Sequence, residues 1–173
     1  QATRVPVVVL PHPAAARALP HTLQHTACVM AITDHLSGDD RLVNHALGFT
    51  EAGGRCWLTH VEPTSVFDHY LNVISKIPEI DIESARELIE KQLLKGPRDY
   101  IASCRRRIAE QQLPWEIGEI VTMGRRLGEY RRLITEHRVD LLVINTMDDD
   151  QLAMHGLAYP LAVELRQIPL LML

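Results

Sequence analysis

The feature that most constrains the fold is an alternation of short apolar runs with segments of helical periodicity. The run Leu141–Ile144 contains no polar residue, which is typical of a strand buried on both faces. Strands that alternate with helices along a chain form a parallel sheet covered by helices on both faces. We therefore predict an α/β fold with a doubly wound, five-stranded parallel sheet, from the runs Cys28–Ile32, Arg55–Val61, Trp115–Val121, Leu141–Ile144 and Pro169–Leu173.

Composition excludes several classes of protein. The 173 residues are 46% apolar and 23% charged, and 18 basic against 22 acidic residues give a formal net charge of −4. A mildly acidic chain is a poor candidate for binding nucleic acid, so no such partner is expected. No apolar run approaches the roughly 20 residues of a membrane span, and no secretory signal pattern is present. We expect a cytoplasmic protein without direct membrane insertion, with Cys28, Cys56 and Cys104 as reduced thiols.

The helical segments are bounded by turn and cap residues. Asp39 and Asp40 provide N-caps for a first helix, which Gly53-Gly54 is expected to end. Gly96-Pro97 predicts a break between two separate helices in the middle of the chain. Pro160 is compatible only with the first turn of the last helix.

Ligands of parallel sheets bind at the carboxyl ends of the strands, where the strand order reverses. The residues expected at that edge are Thr33-Asp34, His60-Val61, Met123-Gly124 and Asn145-Thr146. His60 and His35 would lie near Asp34, and a His–Asp pair can perform acid–base chemistry. Without a nucleophile or metal motif, the sequence favours structural roles for these histidines.

Five strand ends together resemble the universal stress protein family over residues 27–173. They are Ala31-Ile32-Thr33-Asp34, Leu58-Thr59-His60-Val61, Glu119-Ile120-Val121 before Gly124, Asp140-Leu141-Leu142-Val143-Ile144 and Ile168-Pro169-Leu170-Leu171-Met172-Leu173. The resemblance implies a UspA-like stress-response domain with the adenine nucleotide alpha hydrolase-like fold. It also implies a candidate ligand site formed by Thr33, Asp34, Val61, Ile144, Asn145 and Gly156.

Within that site the resemblance assigns the base to one side and the phosphates to another. Asp34 and Val61 match positions that hold the base in family members, and Ile144 and Asn145 match another stretch of the wall. A plain structural alternative stays open, in which Asp34 caps a turn and Val61 belongs to the core.

The phosphate side departs from the pattern of ATP-binding members, which resemble G-x-x-G followed by a later Gly-Ser/Thr. Here Asn145 and Asp148 stand at the first two glycine positions, and Leu157 follows the retained Gly156 where a hydroxyl is expected. The carboxylates of Asp148–Asp150 would each oppose a phosphate by about 1 kcal/mol or more. The sequence therefore favours a degraded ATP site with no cofactor. The alternative is ATP with Mg²⁺ held by those carboxylates.

The functional prediction is a regulatory domain that acts through dimerisation or partner binding. No Walker-type loop, G-x-S-x-G elbow or H-E-x-x-H motif is present, which favours a binding protein over an enzyme. The alternative is an ATP-binding universal stress protein that acts as a nucleotide sensor or weak ATPase. The arginines after Gly124 indicate either a solvated helix face or a patch for an acidic partner, at Arg125, Arg126, Arg131 and Arg132.

The N-terminus echoes the end of the chain. Arg4–Leu10 and Arg166–Leu173 both contain a basic residue, then Val or Ile with Pro, then four apolar residues. We interpret residues 1–26 as a strand and linker, possible remains of a preceding similar domain, and residues 27–173 as the main domain. The expected partner is a second copy or a tandem domain, paired through Val5–Leu10 and Pro169–Leu173. Alternatively the extra strand covers that sheet edge within one chain.

Overall fold

A computed structural model of the chain describes residues 5–10, 25–32, 39–145, 158–164 and 168–173. The described strands are β1 (Val7–Val9), β2 (Cys28–Ile32), β3 (Arg55–Pro63), β4 (Glu116–Gly124), β5 (Leu141–Ile144) and β6 (Leu170–Met172). The described helices are α1 (Asp40–Phe49), α2 (Thr64–Ile74), α3 (Ile82–Glu110), α4 (Arg126–Glu136) and α5 (Ala158–Glu164). None of these helices has the length and apolar character needed to cross a bilayer.

The strands form one sheet in the order β1-β6-β5-β2-β3-β4. Strands β2 to β6 pair in parallel, and β1 pairs antiparallel with β6. The predicted five-stranded parallel sheet with one extra N-terminal strand is therefore confirmed. After β2, the chain adds β3 and then β4 on one side of β2, and β5 and then β6 on the other side. The strand order thus reverses between β2 and β5, which defines the ligand crevice of such a sheet.

Helices cover both faces of the sheet and create two apolar clusters. One face packs against α1 and α3 through residues such as Leu42 and Ile101. The opposite face packs against α4 and α5 through residues such as Tyr130 and Leu161. All four side chains of β5 are buried, as its unbroken apolar sequence predicts.

The middle of the chain departs from prediction because α3 continues through Gly96-Pro97 as one helix of 29 residues. Proline inside a helix removes a backbone hydrogen bond and costs about 3 kcal/mol. Leu94, Pro97 and Ile101 are all buried on one side of the helix. This apolar stripe crosses the proline without interruption, so tertiary packing offsets the local cost.

Helix α1 also ends earlier than Gly53-Gly54 predicts, at Phe49. The hydroxyl of Thr26 donates to the carbonyl of Phe49, and the indole of Trp115 donates to the carbonyl of Thr50 at 3.0 Å. Carbonyls at a helix end need such partners. Long-range donors therefore end α1 at a place that local sequence does not reveal.

Strand β1 covers the outer edge of β6. The register pairs Val7 with Met172, Val8 with Leu171 and Val9 with Leu170. On the other side of β6, the N–H of Leu173 donates to the carbonyl of Ile144, and the carbonyl of Pro169 accepts from Leu142. Because backbone groups alternate sides along a strand, Leu170 and Met172 direct theirs towards β1.

That alternation fixes which residues of β1 bond to β6. Val7 and Val9 direct their N–H and C=O groups to β6, whereas Val8 directs its own away from the sheet. Pro6 occupies the same outward register as Val8 and has no N–H. The outer edge of β1 is therefore partly blunted against pairing with a further strand.

Candidate functional site

The candidate site lies at the carboxyl ends of β2, β3 and β5. Its described members are Val61, Ile144 and Asn145, whereas Thr33, Asp34 and Gly156 lie outside the described residues, as do Asp148–Asp150. Val61 and Ile144 belong to the same buried cluster, on the face covered by α4 and α5. The structure therefore brings together these two wall residues, which are distant in sequence.

Asn145 is held by the start of helix α1. Its side-chain amide Nδ2 donates to Oδ2 of Asp39 at 3.1 Å. The other carboxylate oxygen of Asp39 accepts the N–H of Leu42 at 3.0 Å and caps the helix. The Asp39 cap thereby joins α1 to the end of β5 at the reversal of strand order.

The backbone of Val61 faces the side of β3 on which β2 lies. The N–H of Arg55 donates to the carbonyl of Ala27, just before β2, and alternation brings every second residue, up to Val61, to the same side. The last pair between β2 and β3 is Ile32 with Thr59. Val61 thus lies two residues beyond the ladder, where its N–H and C=O have no strand partner in β2.

Two side chains of α4 bind both of those backbone groups. The N–H of Val61 donates to the phenolic oxygen of Tyr130 at 3.3 Å, and Nε of Arg126 donates to the carbonyl of Val61 at 3.1 Å. Tyr130 is fully buried. The donor and acceptor that this backbone position would offer to the edge of a base are therefore already engaged within the chain.

Sequence reasoning missed this role of α4. The sequence alone groups Arg126 with the other arginines of the helix and does not single out Tyr130. Arg131 and Arg132 do lie on a solvated face and pair with glutamates, at Glu164 for the first and at Glu129 and Glu136 for the second. The available signal is spacing: Arg126 and Tyr130 are four residues apart and share one side of the helix.

His60 forms a second polar feature near the same sheet end. Its Nε2 lies 2.9 Å from Oε2 of Glu62, and both side chains are largely buried. Alternation places His60 with Leu58 on the face covered by α1 and α3, opposite the side chain of Val61. Within the described part of the chain, Nδ1 of His60 and the hydroxyl of Thr59 have no hydrogen-bond partner. His35, which was expected nearby, lies outside the described residues.

The described residues offer little for metal chemistry. Among them, no group of three or more His, Cys, Asp and Glu side chains is arranged to hold an ion. The described site therefore consists of an apolar wall, one amide and two backbone groups bound by α4.

The comparisons with known proteins bear on the fold. No protein-family model matches the chain, and no curated protein matches it. A solved structure, that of the hypothetical protein MJ0577, is similar with a TM-score of 0.62 at 12% sequence identity. The likeness covers 86% of this chain and 96% of that chain. The chain therefore shares the α/β fold of that protein, in agreement with the fold class predicted from its sequence.

Proposed function

We propose that this chain is a universal stress protein-like regulatory domain that binds protein partners without a nucleotide in its base site. The observation that carries the proposal is that Tyr130 and Arg126 form hydrogen bonds with the backbone N–H and C=O of Val61. The fold and the resemblance of the strand ends support the family. The acidic run Asp148–Asp150 supports loss of the phosphate site.

Hydrogen-bond energetics favour the contacts of Val61 with Tyr130 and Arg126 over contacts with a bound base. A base that pairs with Val61 must displace the hydroxyl of Tyr130 and the guanidinium of Arg126. A hydrogen bond exchanged for another contributes little net free energy, whereas an unpaired buried polar group costs about 1–3 kcal/mol. Since Tyr130 is fully buried, a base would gain its contact with Val61 only by breaking a hydrogen bond inside the protein.

The covered edge of β6 bears on how the domain associates. The resemblance implies that the last strand pairs across a dimer, and the sequence predicted pairing through Val5–Leu10 and Pro169–Leu173. Pairing of β1 with β6 in a single chain supports the version in which the edge is covered internally. We propose that partners bind to another surface while β1 stays in place.

Calorimetric titration of the full chain with ATP, with and without Mg²⁺, tests the proposal. We expect no saturable heat at millimolar ATP. Saturable binding at micromolar ATP would contradict the proposal and favour the nucleotide-sensor alternative, and turnover would then be assayed. The double variant Arg126→Ala/Tyr130→Phe frees Val61, and Arg131→Ala is the matched control on the solvated face. Any gain in ATP binding should occur in the double variant alone.

A further inference from the structure

We infer that α2 and the turn after it form a docking surface for a basic amphipathic helix of a partner protein. The surface consists of Tyr70 and Val73 on α2 and of Ile77 and Ile80 in the turn. The inference extends the partner binding proposed above, and its test uses no nucleotide, so the two proposals can fail separately.

The apolar side chains of this surface are exposed beside a stripe that is already buried. Phe67 and Leu71 are the buried residues of α2. Tyr70, Val73, Ile77 and Ile80 are 47, 48, 41 and 42% exposed. At about 100° per residue, Tyr70 and Val73 lie on one side of α2, which ends at Ile74. With Ile77 and Ile80 of the following turn they form an exposed apolar ridge, which suits packing against another helix.

Helix α2, the turn after it and the first turns of α3 form a helical hairpin, which carries the ridge and lies outside the main core. Neither Phe67 and Leu71 of α2 nor Ala85 of α3 belongs to the two clusters on the sheet faces. Between Ala85 and Leu94, no residue of α3 is buried. The hairpin therefore has more apolar side chains than its own interface buries, which is typical of an interaction surface.

Charge around the ridge indicates the chemistry of the partner. Residues 64–90 contain two basic residues and six acidic ones, Asp68, Glu79, Asp81, Glu83, Glu87 and Glu90, a formal balance of 2 − 6 = −4. In the described part of the chain these six carboxylates form no ion pair. By contrast, Glu116 and Glu119 of β4 are paired with arginines. Two such hairpins would repel each other, so a basic partner fits better than a symmetric second copy.

The test is a fluorescence-anisotropy titration of the full chain with two labelled synthetic helical peptides. Both carry leucine on one face, flanked by lysine in the first peptide and by glutamate in the second. We expect the lysine peptide to bind at least roughly tenfold more tightly, with an affinity that falls as salt rises. Equal affinity for the two peptides, or no binding of the lysine peptide, would overturn the inference.

Variants locate the bound peptide. Tyr70→Ser/Val73→Ser should weaken binding roughly tenfold or more, because it removes the centre of the ridge. Glu79→Lys should weaken binding and reduce its dependence on salt. Val8→Ser, at another exposed apolar position, on β1, should leave affinity unchanged. A loss of binding in Val8→Ser but not in the double variant would contradict the inference.

Sedimentation velocity tests the alternative that a second copy of this chain covers the ridge. If the wild-type chain is a dimer that Tyr70→Ser/Val73→Ser converts to a monomer, a second copy covers the ridge and the basic-partner inference is wrong. All substituted side chains are exposed, so far-ultraviolet circular dichroism and thermal melts should match those of the wild type.

Discussion

The phenolic oxygen of Tyr130 accepts a hydrogen bond from the backbone N–H of Val61 at 3.3 Å. The bond joins helix α4 to strand β3 two residues beyond the end of the β2–β3 ladder. Both residues are fully buried, so no solvent can replace the hydroxyl. The contact that we propose keeps a base from Val61 therefore also holds a helix on the sheet.

Removal of that hydroxyl should destabilise the fold. Tyr130→Phe leaves the N–H of Val61 buried without an acceptor, and we expect the free energy of unfolding to fall by about 1–3 kcal/mol. Urea denaturation measures the change. Tyr70→Phe, at an exposed position, should change stability by less than about 0.5 kcal/mol. Equal stability of wild type and Tyr130→Phe would show that this bond is absent in solution.

The register of β1 allows a matched pair of proline substitutions. Val7→Pro removes an N–H that bonds to β6 and should release β1 from the edge. Val8→Pro removes an N–H that points away from the sheet and should leave β1 in place. Hydrogen exchange at the amides of Leu170 and Met172, measured by NMR, should accelerate in the first variant alone.

The same two variants test whether β1 blocks self-association. If β6 is the edge that pairs across a dimer, Val7→Pro should increase the dimer fraction in sedimentation velocity and Val8→Pro should not. Faster exchange without any dimer would limit β1 to a structural role. A wild-type dimer that Val8→Pro dissociates would show instead that the outer edge of β1 is the interface.

Two glycines differ in the space around them. Gly118 pairs with Trp57 across β3 and β4, and a Cβ there would overlap the indole. Since the indole also contacts His137, it cannot move away freely, and Gly118→Ala should cost about 1–3 kcal/mol. Gly128 in α4 has open space, so Gly128→Ala should stabilise the chain by up to about 1 kcal/mol. Thermal unfolding of the two variants should therefore shift in opposite directions.

The buried thiol of Cys56 should lower the free energy of unfolding in alkaline solution. Burial raises the pKa of its thiol from the ordinary 9.0 to about 12. In the folded chain the thiol stays protonated over that interval, whereas in the unfolded chain it ionises, so unfolding is favoured increasingly as pH rises from about 9 to about 12. The free energy of unfolding should fall less steeply over this range in Cys56→Ala. Parallel curves for both proteins would contradict the prediction.

Strand and helix order follows from local pattern at most positions. The run Leu141–Ile144 predicts a central strand, and the sheet places it there with all side chains buried. Pro97 misleads because the apolar stripe of α3, which offsets its cost, depends on tertiary packing. The C-terminal end of α1 and the contacts of Val61 escape prediction for the same reason: their partners are distant in sequence, as Trp115 and Tyr130 show.

The most direct test of the account observes the amide of Val61 while ATP is added. In a ¹⁵N-labelled chain, titration with ATP and Mg²⁺ to millimolar concentration should leave the Val61 amide resonance unshifted and its hydrogen exchange slow. A saturable shift of that resonance, with those of Ile144 and Asn145, would show that a base reaches β3. The account of a site closed by Tyr130 and Arg126 would then be wrong.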